Sequence, residues 1–302
     1  MPAVAGTTAV REALAAAVDA LAAAGVEDPR LDAELLLGEA VGTGRAALAA
    51  DPGAEIPPAA ARSFATMVRR RLRREPVAYI VGRRGFRRLQ LAVDPRVLVP
   101  RPETELLVEV ALERRPARLL DLGTGSGAIA LAVADELPGC EVLASDTSAA
   151  ALEVARANAA RLGLAARVEL QHGSLPAGRR FDLVLANLPY VAERDWPGLQ
   201  PEITEWEPRE ALLAGADGLD AYRALFAQPS FGPQVAAAVA VEVGEGQAPA
   251  VAALARAAGF ARTEARRDLA GIERVVLATT PAGPQPPRAA ERGVPGREGG
   301  AR

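Results

Sequence analysis

Apolar residues recur at two different spacings along the chain, and the spacing changes near Ala117. Near the N-terminus, Val10, Leu14 and Val18 lie four positions apart, which places them on one face of an α-helix. Beyond Ala117, short apolar runs alternate with longer helical patterns, which is typical of β-α units in a mostly parallel sheet. The pattern predicts a helical N-terminal region followed by an α/β domain.

The N-terminal region is predicted to contain three helices, a hairpin and one further helix before the sheet begins. The three helices are predicted around 10–21, 31–36 and 64–72, with Pro57 and Pro58 opening the last of them. Two apolar runs at 78–81 and 89–93 flank Gly85, which predicts the two strands of a β-hairpin. The helix next to the sheet is predicted at about 103–112.

The later apolar runs predict the strands of the sheet and, with them, a division of the chain. Strands are predicted at 118–122, 141–145, 167–171, 181–186, 235–243, near Thr263 and at 274–277. The predicted segments are a helical domain at 1–75, a hairpin and linker at 76–102, an α/β domain at 103–280 and a disordered tail at 281–302.

Composition excludes several classes of protein. The 302 residues carry 24% charged side chains and a net charge of −3, which is ordinary for a globular protein. No run approaches the ~18 apolar residues of a membrane span, and no secretory signal is recognisable. A single cysteine, Cys140, and a single histidine, His172, exclude sites that need two of either residue. We expect a cytoplasmic protein, with no membrane association, whose chemistry uses neither a metal nor a thiol.

A glycine-rich turn follows the first predicted strand of the sheet. Glycines at this position let the chain turn tightly, and the helix that follows presents free N–H groups to a nucleotide. Asp146 ends the next strand, where a carboxylate can accept hydrogen bonds from ribose hydroxyls. The predicted cofactor-binding residues are Gly123, Thr124, Gly125, Ser126, Gly127 and Asp146. Both NAD and S-adenosylmethionine fit this pattern.

Asn187, Leu188, Pro189 and Tyr190 follow the fourth predicted strand of the sheet. The carboxyl ends of parallel strands share one edge, so this tetrapeptide is expected beside the glycine loop and the cofactor. The Asn187 side-chain oxygen and the Leu188 carbonyl can accept the two N–H bonds of a planar NH₂ group. Pro189 would fix the backbone direction, and the Tyr190 ring would lie against the planar group. We predict that these four residues bind the substrate and carry the catalysis, and that Asn187 also belongs to the cofactor-binding residues.

The chain resembles the HemK-type release factor glutamine methyltransferases over nearly its whole folded length. The matching segments are 74–82, 99–105, 121–130, Asn187-Leu-Pro-Tyr190, Glu207-Pro208, 217–219 and 274–276. The stretch Pro100-Arg-Pro-Glu-Thr-Glu105 is the most specific to the family, whereas many methyltransferases share the glycine loop. Leu188 departs from the usual Asn-Pro-Pro-Tyr, and Gly173 with Ser174 stand where related proteins carry an acidic or aromatic residue near the adenine.

The resemblance implies a fold, a reaction and a partner. The implied fold is the Rossmann-like sheet of class I S-adenosylmethionine-dependent methyltransferases, with a small helical N-terminal domain and a linking β-hairpin. The implied reaction is methylation of the glutamine side-chain amide nitrogen in the Gly-Gly-Gln motif of bacterial peptide chain release factors. S-adenosylmethionine is the implied cofactor and the release factor the implied partner, recognised through the N-terminal region. We expect the enzyme to be monomeric and nucleic acid not to be its substrate.

Three other functions are weighed against this one. Asn-Leu-Pro-Tyr also occurs in methyltransferases of adenine amino groups, so an adenine-N6 methyltransferase acting on RNA or DNA is the first alternative. The glycine loop alone would suit an NAD-dependent oxidoreductase, which leaves Asn187 and Tyr190 without a role. A non-catalytic adapter would not require these residues or Asp146.

Nine arginines fall within residues 69–88, where Glu75 is the single acidic residue. Such a segment predicts either a docking face for an acidic partner or RNA, or a solvated surface whose charges pair within the molecule.

Overall fold

The computed structural model describes residues 9–280. The tail predicted at 281–302 lies outside the described residues. The described part of the chain folds into a helical N-terminal region, a two-stranded hairpin and an α/β domain built on a seven-stranded sheet.

Five helices form the N-terminal region around their own apolar core. They are α1 (Val10–Ala23), α2 (Pro29–Val41), α3 (Arg45–Ala50), α4 (Pro58–Arg71) and α5 (Val77–Val81). Leu21, Leu36 and Leu37 are fully buried in this core, as the helical spacing of the apolar residues requires. Gly25 follows the end of α1 and has a φ of +73°. Glycine adopts this left-handed conformation without strain, which suits it to the end of a helix.

The hairpin lies further along the chain than the apolar runs suggest. Its strands are β1 (Arg83–Phe86) and β2 (Leu89–Ala92), which pair antiparallel. The prediction of a strand at 78–81 is wrong, because this run forms α5, which begins after Pro76 and ends at the left-handed Gly82. Proline before the first helical turn and glycine after the last one favour a short helix over a strand.

The α/β domain alternates strands and helices after a 3-10 turn at Pro102–Thr104. Its strands are β3 (Arg118–Leu122), β4 (Glu141–Asp146), β5 (Val168–His172), β6 (Leu183–Ala186), β7 (Ala238–Glu242), β8 (Arg262–Arg267) and β9 (Glu273–Thr279). Its helices are α6 (Glu105–Arg114), α7 (Ala128–Glu136), α8 (Ala149–Arg161), α9 (Pro201–Thr204), α10 (Asp220–Phe226) and α11 (Ala248–Ala257). The strands thus lie where the apolar runs predict them, with β6 and β7 shorter than expected.

The strand order positions the functional site. Along the sheet the order is β5-β4-β3-β6-β7-β9-β8. The first five strands of this order are parallel, β9 is antiparallel to β7, and β8 is antiparallel to β9. The chain reverses its direction of winding between β3 and β6, and open α/β sheets bind ligands at the carboxyl ends of the strands at such a point. The glycine loop, Asp146 and Asn187 all follow strands at this edge.

Two apolar layers cover the faces of the sheet, and a buried charge cluster joins the sheet domain to the helical region. Arg71 on α4 is 5% exposed and pairs at 2.7 Å with Asp32 on α2 and at 2.6 Å with Glu202 on α9. Arg74 pairs with the same Glu202 carboxylate at 2.6 Å. The helical region is therefore tied to the segment that follows Asn187 and Tyr190.

The last strand of the sheet, β8, forms its outer edge and is rich in charge. Four of its six residues, Arg262, Glu264, Arg266 and Arg267, are charged. Arg266 pairs with Glu113 at 3.0 Å, and Arg267 pairs with Glu273 at 2.7 Å. No helix within residues 9–280 is long and apolar enough to cross a membrane.

Candidate active site

The glycine loop between β3 and α7 adopts a conformation that only glycine accommodates readily. Gly123, Gly125 and Gly127 have φ values of +76°, +55° and +85°. A Cβ atom on Gly127 would lie 2.9 Å from Leu131 Cδ1, so the loop could not pack on α7 with a larger residue there. Beside Gly125 no atom lies within 4 Å of where a Cβ would be, which leaves open space for a ligand to approach.

Asp146 at the end of β4 fastens this loop. One carboxylate oxygen accepts a hydrogen bond of 2.8 Å from the Gly125 N–H, and the other accepts one of 2.8 Å from the Ser148 N–H. Each oxygen keeps a second lone pair, which is the acceptor capacity needed for the hydroxyls of a ribose. Asp146 is therefore placed to orient the loop and to bind a ribose.

Thr124 and Asp121 support the loop from inside the protein. The Thr124 hydroxyl donates to Asp121 Oδ2 at 2.6 Å, and the Ala130 N–H donates to the same oxygen at 3.1 Å. Burial raises the pKa of Asp121 to about 7, although these two hydrogen bonds oppose the shift. Within residues 9–280, Asp121 Oδ1 has no hydrogen-bond partner. The Thr124 hydroxyl, predicted to lie in the cofactor site, therefore points into the core.

The side chain of Asn187 has a fixed orientation. Asn187 Nδ2 donates to the Thr104 hydroxyl oxygen at 3.1 Å, and Thr104 comes from the 3-10 turn before α6. Because the NH₂ group of Asn187 is engaged by Thr104, its Oδ1 is the atom free to accept hydrogen bonds. The structure thus leaves an amide oxygen available at the carboxyl end of β6.

The main chain at Tyr190 is held by Gln247 and by a tight turn. Gln247 Nε2 donates to the Tyr190 carbonyl at 2.9 Å, and Gln247 Oε1 accepts from the Gly244 N–H at 2.9 Å. A Cβ atom on Gly218 would lie 2.4 Å from the Tyr190 carbonyl oxygen. This close approach explains why the 217–219 turn, one of the segments that carry the resemblance, needs glycine.

A cleft of about 300 Å³ brings most of the predicted residues together. Its lining includes Gly123, Thr124, Gly125, Ser126, Asp146, Asn187, Leu188 and Pro189. Ser174 and Thr104 also line it. Gly127 and Tyr190 do not belong to the lining: Gly127 caps α7, and the Tyr190 ring packs beside Gly244.

The cleft fits S-adenosylmethionine. A volume of this size is sufficient for a small-molecule ligand. The open space at Gly125 accepts the close approach of a ligand to the main chain, and the Asp146 carboxylate faces the same cleft. No cluster of three or more metal-ligating side chains occurs among the described residues.

Three residues of the site are not identified by the sequence interpretation. Thr104 lies within the proline-rich segment that carries the resemblance, Gln247 follows β7, and Glu242 ends β7. A polar residue at the end of a buried strand is a usable signal for Glu242, because the tetrapeptide predicted to bind the substrate follows the neighbouring parallel strand β6. Arg101, from the same proline-rich segment as Thr104, pairs with buried Glu207 at 2.7 Å.

The arginine-rich segment is mostly neutralised by contacts within the molecule. The six arginines that pair with carboxylates are Arg70, Arg71, Arg74, Arg83, Arg87 and Arg88. Within the described range 9–280, Arg69, Arg73 and Arg84 form no ion pair. Most of this charge is therefore paired within the molecule, which argues against a free basic face for RNA.

Two family models match successive parts of the chain. The PrmC N-terminal domain matches residues 12–82, and the methyltransferase small domain matches residues 102–201. Together they cover the helical region and the part of the sheet domain that contains the glycine loop, Asp146 and Asn187.

Among solved structures, the catalytic domain of hMettl16 in complex with a hairpin of the MAT2A 3'UTR superposes with a TM-score of 0.52. At 13% identity, over 64% of this chain and 76% of that one, the match supports the fold alone. It confirms the predicted Rossmann-like class I methyltransferase sheet.

Curated relatives cover nearly the whole chain. The release factor glutamine methyltransferase of Cereibacter sphaeroides is 43% identical over 273 residues, which are 90% of this chain and 98% of the relative. The protein of the same name from Moorella thermoacetica is 45% identical over 89% of this chain and 98% of its own length. The match therefore spans both the helical region and the sheet domain, and the chain belongs to the release factor glutamine methyltransferase family.

Proposed function

We propose that the protein transfers a methyl group from S-adenosylmethionine to the side-chain amide nitrogen of the glutamine in the Gly-Gly-Gln motif of bacterial peptide chain release factors. The observation that carries the proposal is the fixed orientation of Asn187. Its NH₂ group is bound by Thr104, so its oxygen is free to accept from an incoming amide beside the cofactor cleft. Membership of the family supports the choice of substrate.

An amide nitrogen is a weak nucleophile, because its lone pair is delocalised into the carbonyl. When bound, S-adenosylmethionine would supply an activated sulfonium methyl group, whose sulfur leaves as a neutral thioether, and the methylated nitrogen would then lose one proton to solvent. The protein must align the nitrogen with that methyl group and stabilise the positive charge that grows on the nitrogen. Asn187 Oδ1 and the Leu188 carbonyl accept the two N–H bonds of the substrate amide, and the Tyr190 ring supports its plane. Pro189 fixes the main chain between them.

The cofactor would be held at the carboxyl ends of β3 and β4. Asp146 would accept hydrogen bonds from the ribose hydroxyls, and the loop from Gly123 to Gly127 would contact the rest of the ligand. Thr124 and Ser126 contribute their main chain, since the Thr124 hydroxyl is already bound to Asp121. Asn187 would lie beside both the cofactor and the substrate amide.

The partner is a protein rather than a nucleic acid. The helical domain at 1–75 recognises the release factor, the hairpin and linker at 76–102 join it to the catalytic part, and residues 103–280 perform the transfer. The enzyme acts as a monomer in the cytoplasm, where release factors function. Adenine methylation is not favoured, because the arginine-rich segment is largely ion-paired.

The experiment is methyl transfer from radiolabelled S-adenosylmethionine with three acceptors: a release factor, the same factor with glutamine of the motif replaced by alanine, and ribosomal RNA. We expect label only in the intact release factor. Label in the RNA, or equal label in the alanine-substituted factor, would contradict the proposal. Size-exclusion chromatography of the enzyme tests the monomer.

A further inference from the structure

A carboxyl group behind the substrate site has no assigned role. Glu242 ends β7, beside the strand that leads to Asn187, and is 1% exposed. Within the described residues, its Oε2 atom has no hydrogen-bond partner. Burying a carboxylate that has an unpartnered oxygen costs free energy, so its retention at this position calls for a functional explanation.

The groups that face Glu242 belong to the substrate site. Burial raises the pKa of Glu242 to about 7, and hydrogen bonding with the Thr104 hydroxyl opposes that shift. The negative charge of Glu103 raises the pKa further, while Arg274 on β9 and the Tyr190 hydroxyl lower it. From α10, the Tyr222 hydroxyl donates to the Glu242 main-chain carbonyl at 2.6 Å.

The direction of these hydrogen bonds decides which atom of Asn187 faces the substrate. A threonine hydroxyl has one proton to donate. If Thr104 donates it to the Glu242 carboxylate, the Thr104 oxygen must accept at its other side, and it does accept from Asn187 Nδ2 at 3.1 Å. If Thr104 instead donated to Asn187, the Asn187 side-chain amide would rotate so that its oxygen faced Thr104 and its NH₂ group faced the substrate. The substrate NH₂ group needs acceptors, so this orientation would not bind it.

We infer that Glu242 is a positioning residue that orients both side chains of the amide site, Asn187 through Thr104 and Tyr190 through its hydroxyl. This inference rests on the proposed function. The ionised carboxylate accepts from both hydroxyls, so the Asn187 oxygen and the Tyr190 ring are held ready for the substrate. Protonation of Glu242 gives the carboxyl a donor of its own, which competes for the Thr104 oxygen and releases Asn187.

The test uses the full chain and compares four variants with wild type. Thr104→Val removes the hydroxyl and Thr104→Ser keeps it, while Glu242→Gln keeps the shape of the side chain and removes its titration. Thr263→Val, on exposed β8, is the matched control for loss of a hydroxyl. For each protein, kcat and KM for the release factor are measured across pH 5.5–8.5, and S-adenosylmethionine affinity is measured by calorimetry.

For Thr104→Val we expect kcat to fall by about ten- to a hundredfold, the scale of one lost polar contact that orients the reacting group. KM and cofactor affinity should change by less than about threefold, and Thr104→Ser should recover most of kcat. Wild-type kcat should fall as the pH drops below about 7, since the carboxyl is then protonated. The Glu242→Gln variant should have a low kcat at every pH and should not show this decrease of kcat at acidic pH.

A normal kcat for Thr104→Val would overturn the inference, as would a kcat for Glu242→Gln that still falls below pH 7 as in wild type. In either case, methyl transfer by the wild-type enzyme would still support the proposed function. If Glu242→Gln does not fold, the comparison of Thr104→Val with Thr104→Ser tests the inference by itself. Absence of methyl transfer by the wild-type enzyme, with cofactor binding intact, would instead contradict the proposed function and the inference together.

Discussion

Asn187 is the residue on which the proposed chemistry depends most directly. Its oxygen is the side-chain acceptor for the substrate amide, and Thr104 keeps it in that orientation. We expect Asn187→Ala to lower turnover on the order of a hundredfold or more, as when a preorganised contact to the transition state is lost. Methyl transfer to release factor at saturating cofactor measures this. Cofactor affinity in calorimetry serves as the control, and near-normal turnover would contradict the assignment.

Asp146 holds the glycine loop and is proposed to bind the cofactor as well. Asp146→Ala removes the ribose acceptor and frees the Gly125 and Ser148 N–H groups. We expect S-adenosylmethionine affinity to fall about ten- to a hundredfold, which corresponds to ~1.5–3 kcal/mol. Calorimetry measures the affinity and thermal denaturation reports whether the domain remains folded. Unchanged affinity in a folded variant would remove Asp146 from the binding site.

At the scale of elements, Arg71 holds three helices together. It lies between Asp32 on α2 and Glu202 on α9, and burial raises the pKa of Asp32 despite the opposing hydrogen bond from Arg71. Arg71→Ala leaves these carboxylates poorly compensated, so we expect a loss of about 3 kcal/mol of unfolding free energy. Urea denaturation measures it. Arg69→Ala is the matched control on the exposed face of α4, and an equal effect there would contradict the role of Arg71.

The elements also show how far the sequence can be interpreted. The strands of the sheet are predicted where they occur, because buried parallel strands are short apolar runs between helical patterns. The run at 78–81 is part of a helix instead, since four apolar residues have no distinctive period and the Pro76 and Gly82 that flank α5 decide the outcome. α3, with Leu48 as its one buried residue, is too short to show a pattern.

The candidate site was predictable where its residues follow one another along the chain. The glycine loop, Asp146 and the tetrapeptide each end a strand, so the parallel sheet brings them to one edge. Thr104 could not be placed beside Asn187 from sequence, because the two are 83 positions apart and meet only through packing. The inward direction of the Thr124 hydroxyl likewise depends on the buried Asp121.

At the scale of the whole molecule, recognition by the helical domain can be separated from catalysis. A chain beginning at Val77 loses Arg71 and Arg74, so Glu202→Gln should accompany the truncation to avoid an unpaired buried carboxylate. We expect this shortened protein to bind S-adenosylmethionine normally and to methylate whole release factor at least about tenfold more slowly. A short Gly-Gly-Gln peptide, methylated equally by both forms, is the control. Full activity on whole release factor would refute the recognition role.

The stability of the molecule should also depend on pH through Asp121. Its pKa is about 7 in the folded protein because it is buried, against 3.8 for a free side chain. The folded state therefore holds this proton between about pH 4 and 7 when the unfolded chain does not, and stability falls as pH rises through that window.

Asp121→Asn should remove this contribution, which is at most about 4 kcal/mol. Urea denaturation at pH 5 and pH 7.5 measures the change for each protein. Asp182→Asn, a carboxylate exposed at the opposite end of the sheet, should keep the wild-type dependence. Identical slopes for Asp121→Asn and wild type would show that Asp121 is ionised throughout.

The charged outer strand β8 has a consequence for the protein at high concentration. An open sheet edge offers unpaired main-chain groups to the edge of another copy, which is a route to fibrous aggregates. Here a second β8 would have to bring rows of guanidinium groups together, and Arg266 and Arg267 would have to exchange their carboxylate partners. The charges of β8 therefore disfavour the addition of a further strand at this edge of the sheet.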